Sequence, residues 1–433
     1  MAAVQLDHKF VSTPKLVEPA SAPKYVESAL DYVVPEIPHK QAHDEIFDAL
    51  RKRIEAINEE TCEPGDENSF FVCDIGEVQR LYNNWHKRLP RVQPFYAVKC
   101  NPDHRVLAKL ASLGVNFDCA SKTEIEKVLA LGVSPNRIIY ANPCKASSFI
   151  RYAAKNKVLK STFDNVEELH KIKKYHPESQ LLLRITTDDS TAQCRLSTKY
   201  GCELEKVDEL LETVQKLGLN LVGVSFHVGS GASDLSSLYK AASQYGLPAL
   251  QILDVGGGFQ FDTFAQSSLV LSDAIDEFFP TESFGNLQII AEPGRYFAAT
   301  TFTLAVNVIA KRNLGEQEAM IYVNDGVYGN MNCILFDHQE PTPRTLYHNK
   351  QFHYYDFDSS STKKAASLPH KVSMWGPTCD GLDCITKEHY MKHDLVTGDW
   401  IYFPNLGAYT SSAATPFNGF EQTVDTIYIE SSY

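Results

Sequence analysis

The chain has 433 residues, of which 43% are hydrophobic and 22% are charged, and its formal net charge is −13. This length allows two or three domains of ordinary globular composition. The chain lacks the concentrated basic surface that phosphate backbones require, and no apolar run is long enough to cross a bilayer. We therefore expect no nucleic-acid partner and no membrane partner.

Ten cysteines occur without a CxxC pair and without a Cys/His cluster at zinc-ligand spacing. The N-terminal residues contain no apolar core of signal-peptide length. These features predict free thiols, no metal site and a reduced, cytoplasmic location.

The first part of the chain has two segments of different character. Residues 1–40 are rich in Pro, Ser, Lys and Val without sustained periodicity, and are predicted to form a flexible arm. Residues 41–74 are predicted to contribute a helix, with apolar residues at helical spacing in DEIFDALRKRIEAIN, and a first strand, FFVCD. We expect this helix and strand to join a β domain further along the chain.

From residue 75 to residue 297, short apolar runs alternate with helical stretches at a nearly constant stride. The apolar runs are PFYAVK, NFDCA, RIIYAN, KSTFD, QLLLRI, LVGVSFHVG, QILDVGGGF and LQIIAEPGRYF. Such alternation is typical of parallel strands with crossover helices, and their number favours a closed (β/α)8 TIM-type barrel over an open doubly wound sheet. No GxGxxG follows the first strand, which also disfavours a Rossmann fold.

Residues 298–433 lose the helical units and contain strand-like runs rich in Val, Ile, Tyr and Thr. They are predicted to form a second, mainly antiparallel β domain. The fold class is therefore α/β, with the barrel followed by this domain.

The ends of the barrel strands carry the residues that could perform chemistry, because functional residues of such barrels gather there. Lys99 ends the first run, PFYAVKCNPD, although a strand-end lysine can also pack its stem and extend its ammonium into water. The other strand ends supply Asp118, Arg184, His227, the glycines of DVGGGF, and Glu292 and Arg295 of EPGR.

Three of these loops suit a single phosphate. The glycines of DVGGGF let backbone N–H groups approach, Ser230 in HVGSG adds a hydroxyl and Arg295 adds a guanidinium, although each loop alone would also fit a tight turn. Together with a lysine amine that can bind an aldehyde, they predict pyridoxal phosphate (PLP). Glu292 could keep the ring nitrogen protonated, and His227 could stack on the ring or be a structural histidine.

The predicted β domain adds two candidates. Cys379 in WGPTCDGLD could donate a proton near the cofactor, or it could be an ordinary buried thiol. Tyr409 in GAYT could offer its hydroxyl to the phosphate.

The motifs PFYAVKCN, FDCASKTE, CRLSTKYG, HVGSG, DVGGGF, EPGRY, YVNDGVYG, WGPTCDGLD, GAYT and FNGF occur in this order. With them, residues 70–433 resemble the eukaryotic ornithine decarboxylases, which are barrel-type PLP-dependent decarboxylases with the alanine-racemase-like fold. The resemblance implies pyridoxal 5'-phosphate as cofactor and conversion of L-ornithine to putrescine and CO2, the first step of polyamine synthesis. It also implies a homodimer in which the Cys379 loop enters the partner's site, with antizyme as a candidate further partner.

The resemblance also assigns roles to single residues of this sequence. The catalytic and ring-binding residues would be Lys99, Asp118, Glu124, Arg184, His227, Glu292 and Cys379. The phosphate would be held by Ser230, Gly257, Gly258, Gly294, Arg295 and Tyr409. The distal ammonium of the substrate would meet Asp337 and Asp380, with Phe336 as an aromatic wall. Lys199 and Asp383 would form an ion pair between the subunits.

One interval departs from the family pattern. Between Gly231 and Asp254 the expected barrel helix is shorter by roughly 10 residues, which leaves Leu235 to Tyr245 to cover that side thinly. Either a weakened protein or a misread exon boundary would account for the gap.

Four alternatives to an ornithine decarboxylase are considered, of which some stay open and others are disfavoured. A binding homologue without catalysis, like the antizyme inhibitors, is disfavoured because the chemical residues are present, but the short helix favours it. Alanine racemase would place an arginine, not Glu292, at the ring nitrogen, and diaminopimelate decarboxylase would need a cation where Asp337 and Asp380 offer carboxylates. Lysine or another basic amino acid as substrate stays open, and lysine is hard to exclude because one methylene changes binding by only ~1–3 kcal/mol.

Overall fold

The computed structural model describes residues 37–58, 60–186, 199–226, 250–354, 370–420 and 424–432. Residues 1–36 of the predicted arm, all of HVGSG and the shortened interval from Leu235 to Tyr245 lie outside these residues, whereas residues 37–40, also predicted to belong to the arm, form the start of the first helix. The α-helices described are α1 (Ile37–Glu55), α2 (Ile75–Arg88), α3 (His104–Ser112), α4 (Lys122–Ala130), α5 (Ser147–Lys155), α6 (Val166–Tyr175), α7 (Val207–Leu217), α8 (Phe264–Phe278), α9 (Thr281–Phe284), α10 (Arg295–Ala298) and α11 (Cys333–Phe336). None of them is long and apolar enough to span a membrane.

Eight parallel strands close into a barrel, which confirms the predicted (β/α)8 architecture. They are β2 (Val92–Ala97), β3 (Asn116–Cys119), β4 (Ile138–Tyr140), β5 (Lys160–Phe163), β6 (Gln180–Arg184), β7 (Asn220–Ser225), β8 (Ile252–Asp254) and β9 (Gln288–Ala291). They pair in chain order, and β9 returns to β2 through the register Val92 to Ile289.

Apolar side chains that point inward from the strands fill the barrel, so its interior is a packed core. One layer is formed by Phe95, Ile139, Leu182, Val222, Ile252 and Ile290, each at most 5% exposed. Several of the barrel helices begin where a short polar side chain accepts hydrogen bonds from free backbone N–H groups. Asp103 caps α3, Ser121 caps α4 and Asn165 caps α6 in this way.

A second sheet of nine strands stands beside the barrel. Its strands are β1 (Phe70–Asp74), β10 (Phe302–Asn313), β11 (Glu318–Val323), β12 (Arg344–His348), β13 (Gln351–Phe352), β14 (His370–Trp375), β15 (Cys384–Met391), β16 (Trp400–Phe403) and β17 (Asp425–Ile429). β1 pairs antiparallel with β10 and parallel with β17, and β11 pairs parallel with β14. The other pairs are antiparallel, as predicted.

The two sheets meet at a turn that follows β16. The N–H of Gly407 donates to the carbonyl of Ala299, and its own carbonyl accepts from the amide of Asn101 at 2.8 Å. The N–H of Tyr409 donates to the carbonyl of Cys100 at 2.9 Å. A Cβ at position 407 would lie 1.9 Å from the carbonyl oxygen of Ala298, so only glycine fits. This turn therefore reaches the loop that follows the first barrel strand.

Candidate active site

Lys99 lies in a single 3-10 turn, Val98–Cys100, that directly follows β2. Its Nζ is 3.3 Å from Oδ2 of Asp118, on the neighbouring strand β3. The Lys99 side chain is 42% exposed, whereas that of Asp118 is 1% exposed, so the ammonium sits at the barrel mouth above a buried carboxylate. The negative charge of Asp118 raises the pKa of Lys99 and holds it as ammonium.

Three buried carboxyl groups lie near one another at the ends of β3, β8 and β9. Burial raises the pKa of Asp118, raises that of Asp254 to about 7 and raises that of Glu292 well above its ordinary value. The positive charge of Arg184 lowers the pKa of all three groups, and that of Lys99 lowers the pKa of Asp118 and Glu292. Asp254 and Glu292 are close enough for the charge of Asp254 to raise the pKa of Glu292 further.

Two oxygens of this carboxyl cluster lack a hydrogen-bond donor among the described residues. They are Oδ1 of Asp118 and Oδ2 of Asp254, and both are shielded from solvent. Buried acceptors of this kind are unfavourable unless a donor reaches them. Together with the raised pKa of Glu292, they fit a ligand that brings an N–H group and positive charge into the barrel, as a protonated pyridine nitrogen does.

The loops after β8 and β9 expose backbone beside this cluster. Gly256 and Gly258 have φ values of +71° and +92°, which favour glycine. Gly257 is half-buried and Gly258 is exposed, so backbone N–H groups are accessible there. A Cβ on Gly294 would lie 2.8 Å from the Cβ of Cys100, so this glycine allows the β9 loop to approach the lysine turn. These loops could accept a phosphate without side-chain obstruction.

Arg295 opens α10 and faces Asp337, which directly follows α11. Its Nη2 donates to Oδ1 and Oδ2 of Asp337 at 2.6 and 2.5 Å. The guanidinium carbon lies 5.2 Å from the centre of the Tyr409 ring. Because the hydrogen bonds described for Arg295 all come from Nη2, its Nε and Nη1 groups can serve a phosphate. Arg295, predicted only as a phosphate ligand, thus also binds a predicted substrate residue.

Glu124 has a structural task as well as a place near the lysine. Its Oε2 accepts from the N–H of Ala120 at 2.6 Å, and its own N–H donates to Ser121 Oγ at 3.2 Å, so it helps to cap α4. Burial, and then the charge of Asp118, raise its pKa, whereas the charge of Lys99 lowers it. Glu124 therefore belongs to the charged surroundings of Lys99.

Cys379 and Asp380 lie on an exposed loop after β14 and have other partners. The N–H of Cys379 donates to Oδ1 of Asn418 at 2.9 Å. Asp380 accepts hydrogen bonds from the hydroxyl of Tyr328 and the N–H of Leu382, and the first of these lowers its pKa. Asp337 is bound to Arg295 instead. Within the chain, the two predicted substrate carboxylates therefore have different partners.

The remaining predicted residues have no described contact with the carboxyl cluster. Phe336 is 67% exposed beside Asp337. Lys199 is exposed, whereas Asp383 is buried and accepts from the N–H groups of Val327 and Thr378 at 2.8 and 3.0 Å. Pairing of Lys199 with Asp383 stays a prediction. His227 and Ser230 lie outside the described residues.

Sequence reasoning did not assign a role to Asp254. The sequence did contain a signal for such a role, because Asp254 ends β8 shortly before the three glycines, at the end of the barrel where functional residues gather. The roles of Gln339 and Asn101 were also missed. Both residues are distant in sequence from the turn that follows β16 and carries Tyr409, and both contact it. No local pattern indicated that either residue contacts that turn.

Residues 75–299 match the family model described as "Pyridoxal-dependent decarboxylase, pyridoxal binding domain". An ornithine decarboxylase of Saccharomyces cerevisiae is 69% identical over 412 residues, covering 91% of this chain and 88% of that protein. Antizyme inhibitor 2 of Xenopus laevis is 45% identical over 400 residues, covering 86% and 84%. The arginine decarboxylase of Paramecium bursaria Chlorella virus, solved with agmatine, has a TM-score of 0.78 at 34% identity, covering 88% of this chain and 100% of that chain.

The chain belongs to the pyridoxal-dependent decarboxylase family, and the predicted resemblance is confirmed. Its cofactor is pyridoxal phosphate. The orphaned acceptors of the carboxyl cluster, the accessible glycine loops and the exposed amine of Lys99 fit this group.

Asp254→Asn should stabilise the PLP-free protein in a pH-dependent way. The folded pKa of Asp254 is about 7, whereas an unfolded aspartate titrates near ~4. Its stabilising contribution is therefore full below about pH 4 and is lost as the pH rises through about 7. Relative to the wild type, the variant should gain roughly 2–4 kcal/mol between about pH 4 and pH 8. Thermal unfolding midpoints across this range measure the difference.

Asp262→Asn, which removes an exposed carboxylate from the next loop, is the matched control for loss of a charge. A stability difference between Asp254→Asn and wild type that stays constant with pH would contradict the assignment.

Proposed function

We propose that this protein decarboxylates L-ornithine to putrescine and CO2, the first step of polyamine synthesis. The observation that carries the proposal is the position of Lys99, whose ammonium faces Asp118 above a cluster of buried carboxyl groups. The high identity to a yeast ornithine decarboxylase supports ornithine as the substrate.

The residues of the barrel would hold the cofactor at four points. Lys99 would bind its aldehyde, Glu292 would keep a proton on its ring nitrogen, and Arg295 with Tyr409 would hold its phosphate. When bound, PLP supplies a ring that accepts the electrons left on Cα as CO2 departs. Asp118, 3.3 Å from Lys99, would orient the lysine amine.

The substrate would be selected by carboxylates. Asp337 and Asp380 would receive the distal ammonium of a basic amino acid, and a hydrogen bond to such a charged group contributes ~1.5–3 kcal/mol. The same carboxylates would repel the second carboxylate of diaminopimelate. Phe336 would form an aromatic wall beside Asp337.

The active sites would be shared between two subunits of a homodimer. Cys379 is exposed on the second sheet, where exposed apolar side chains lie around its loop: Leu382 (63%), Phe417 (41%) and Phe420 (44%). Apolar side chains exposed together in this way are typical of an interface. In the dimer, the Cys379 thiol of one subunit would give a proton to Cα in the barrel of the other, and Lys199 would pair with Asp383.

Two further proposals concern the setting of the enzyme. The nine cysteines among the described residues are all free thiols, which supports a reduced, cytoplasmic location. Similarity to an antizyme inhibitor makes antizyme a candidate partner. The proposed domain limits, with a barrel at residues 75–297 and a β domain at 298–433, stay a prediction.

CO2 release by the purified PLP-loaded protein tests the reaction and the substrate together. Among L-ornithine, L-lysine, L-arginine and diaminopimelate, ornithine should give the highest kcat/KM. Lysine should be slower by roughly one to two decades, because one methylene is worth ~1–3 kcal/mol. Lys99→Ala should release no CO2 from any of them.

A PLP-loaded wild-type protein that released CO2 from none of the four would contradict the proposed reaction. It would favour a binding homologue of the antizyme-inhibitor kind. A higher kcat/KM for lysine would retain the reaction and replace the substrate.

Mixing two inactive variants tests the shared site. If Lys99→Ala and Cys379→Ala chains exchange at equal amounts, half of the dimers are mixed. In a mixed dimer one composite site has both lesions and the other has neither. Activity should then recover to about a quarter of the wild-type value.

Cys384→Ala, which removes a half-buried thiol on β15, is the control and should keep its activity without mixing. Ultracentrifugation with one labelled variant shows whether the subunits exchange. Exchange without recovery would show that each site is built within a single chain.

A further inference from the structure

Gln339 links two parts of the proposed site. It lies two residues beyond Asp337, and its backbone N–H donates to the carbonyl of Cys333 at 3.1 Å just after α11. Its side-chain Nε2 donates to Oδ2 of Asp337 and, at 3.0 Å, to the carbonyl of Ala408. One amide group therefore joins the predicted substrate carboxylate to the turn that carries Tyr409.

The acceptor positions of Asp337 are nearly filled. Oδ2 accepts from Arg295 at 2.5 Å and from Gln339, and Oδ1 accepts from Arg295 at 2.6 Å. A carboxylate oxygen accepts about two hydrogen bonds. Among the described residues, one acceptor position of Asp337 thus has no donor, and it is on Oδ1. The Asp337 side chain is only 12% exposed, so an ammonium group has a restricted approach to it.

The Tyr409 turn, residues 407–410, is held by three side-chain amides. Asn101 donates to the carbonyl of Gly407 at 2.8 Å, Gln339 to that of Ala408, and Asn332 to that of Thr410 at 2.6 Å. Tyr409 itself has a φ of +56°, which a residue with a Cβ rarely adopts. Of the three amides, Gln339 alone also contacts Asp337. Its removal would free Asp337 while two amides still hold the turn.

We propose that Gln339 is a positioning residue that determines which length of diamine or basic amino acid the site prefers. By occupying Oδ2 of Asp337, it leaves Oδ1 as the one acceptor for the distal ammonium and fixes the distance from Lys99 at which that ammonium binds. This inference rests on the proposed function. Without Gln339, Oδ2 also becomes an acceptor, and a chain with one more methylene can be accommodated.

Gln339→Met tests the proposal, because methionine keeps the length of the side chain and removes its donors. The PLP-loaded dimer is titrated with putrescine and with cadaverine, and the affinity ratio is compared with that of the wild type. The preference for the shorter diamine should fall about tenfold, which is within the range of affinity differences that one methylene group produces. The affinity for PLP, measured by absorbance titration, should stay within about twofold of the wild-type value.

Asn332→Leu is the matched variant, since Asn332 holds the same turn without contacting Asp337. Because either variant leaves two amides on the turn, Asn332→Leu should change PLP affinity no more than Gln339→Met does, and it should leave the diamine ratio unchanged. The proposal is overturned if Gln339→Met keeps the wild-type ratio, or if it changes the ratio only together with PLP affinity, as a structural residue would.

Parallel CO2 assays separate the two proposals. A wild-type protein that binds both diamines but releases no CO2 overturns the proposed reaction, and the diamine ratio still decides the role of Gln339. A PLP-loaded protein that binds neither diamine overturns both.

Discussion

Three carboxyl groups, those of Asp118, Asp254 and Glu292, are buried together at one end of the barrel, and the site depends on this concentration of charge. The barrel imposes it, because parallel strands end together at one rim. Burial opposes ionisation of all three groups, as their raised pKa values show. Lys99 and Arg184 offset part of this cost. A cofactor that brings a protonated ring nitrogen would offset more, so binding of the cofactor and stability of the site are coupled.

The second sheet completes the site through few but well-defined contacts. The Tyr409 turn reaches the lysine loop through Cys100 and Asn101. Asp337, carried by the same sheet, is held by Arg295 of the barrel. The groups proposed to bind phosphate, ring and distal ammonium are therefore positioned relative to one another by backbone carbonyls and one ion pair. Such links explain how a barrel and a β sheet can act as one enzyme.

The sequence predicted the barrel and the strand-end residues because both have local signals. Alternating apolar runs and helical stretches indicated the eight strands, and Lys99, Asp118 and Glu292 each end one of them. The bond between Arg295 and Asp337 was not predicted, since the two residues are separated by 42 positions and lie on segments that follow strands of different sheets. The same reason applies to Gln339, whose partner Ala408 is 69 positions away. Contacts between sheets depend on packing that no local pattern encodes.

The central claim is that the lysine facing Asp118 is the one that carries the cofactor. Borohydride reduction of the PLP-loaded protein, followed by digestion and mass spectrometry, locates the pyridoxyl group directly. The label should lie on the peptide that contains Lys99 and should be absent from Lys99→Ala. Lys145 is a useful comparison, because burial lowers its pKa and Glu168 binds its amine at 2.9 Å. A pyridoxyl group on Lys145, or on any lysine other than Lys99, would contradict the account.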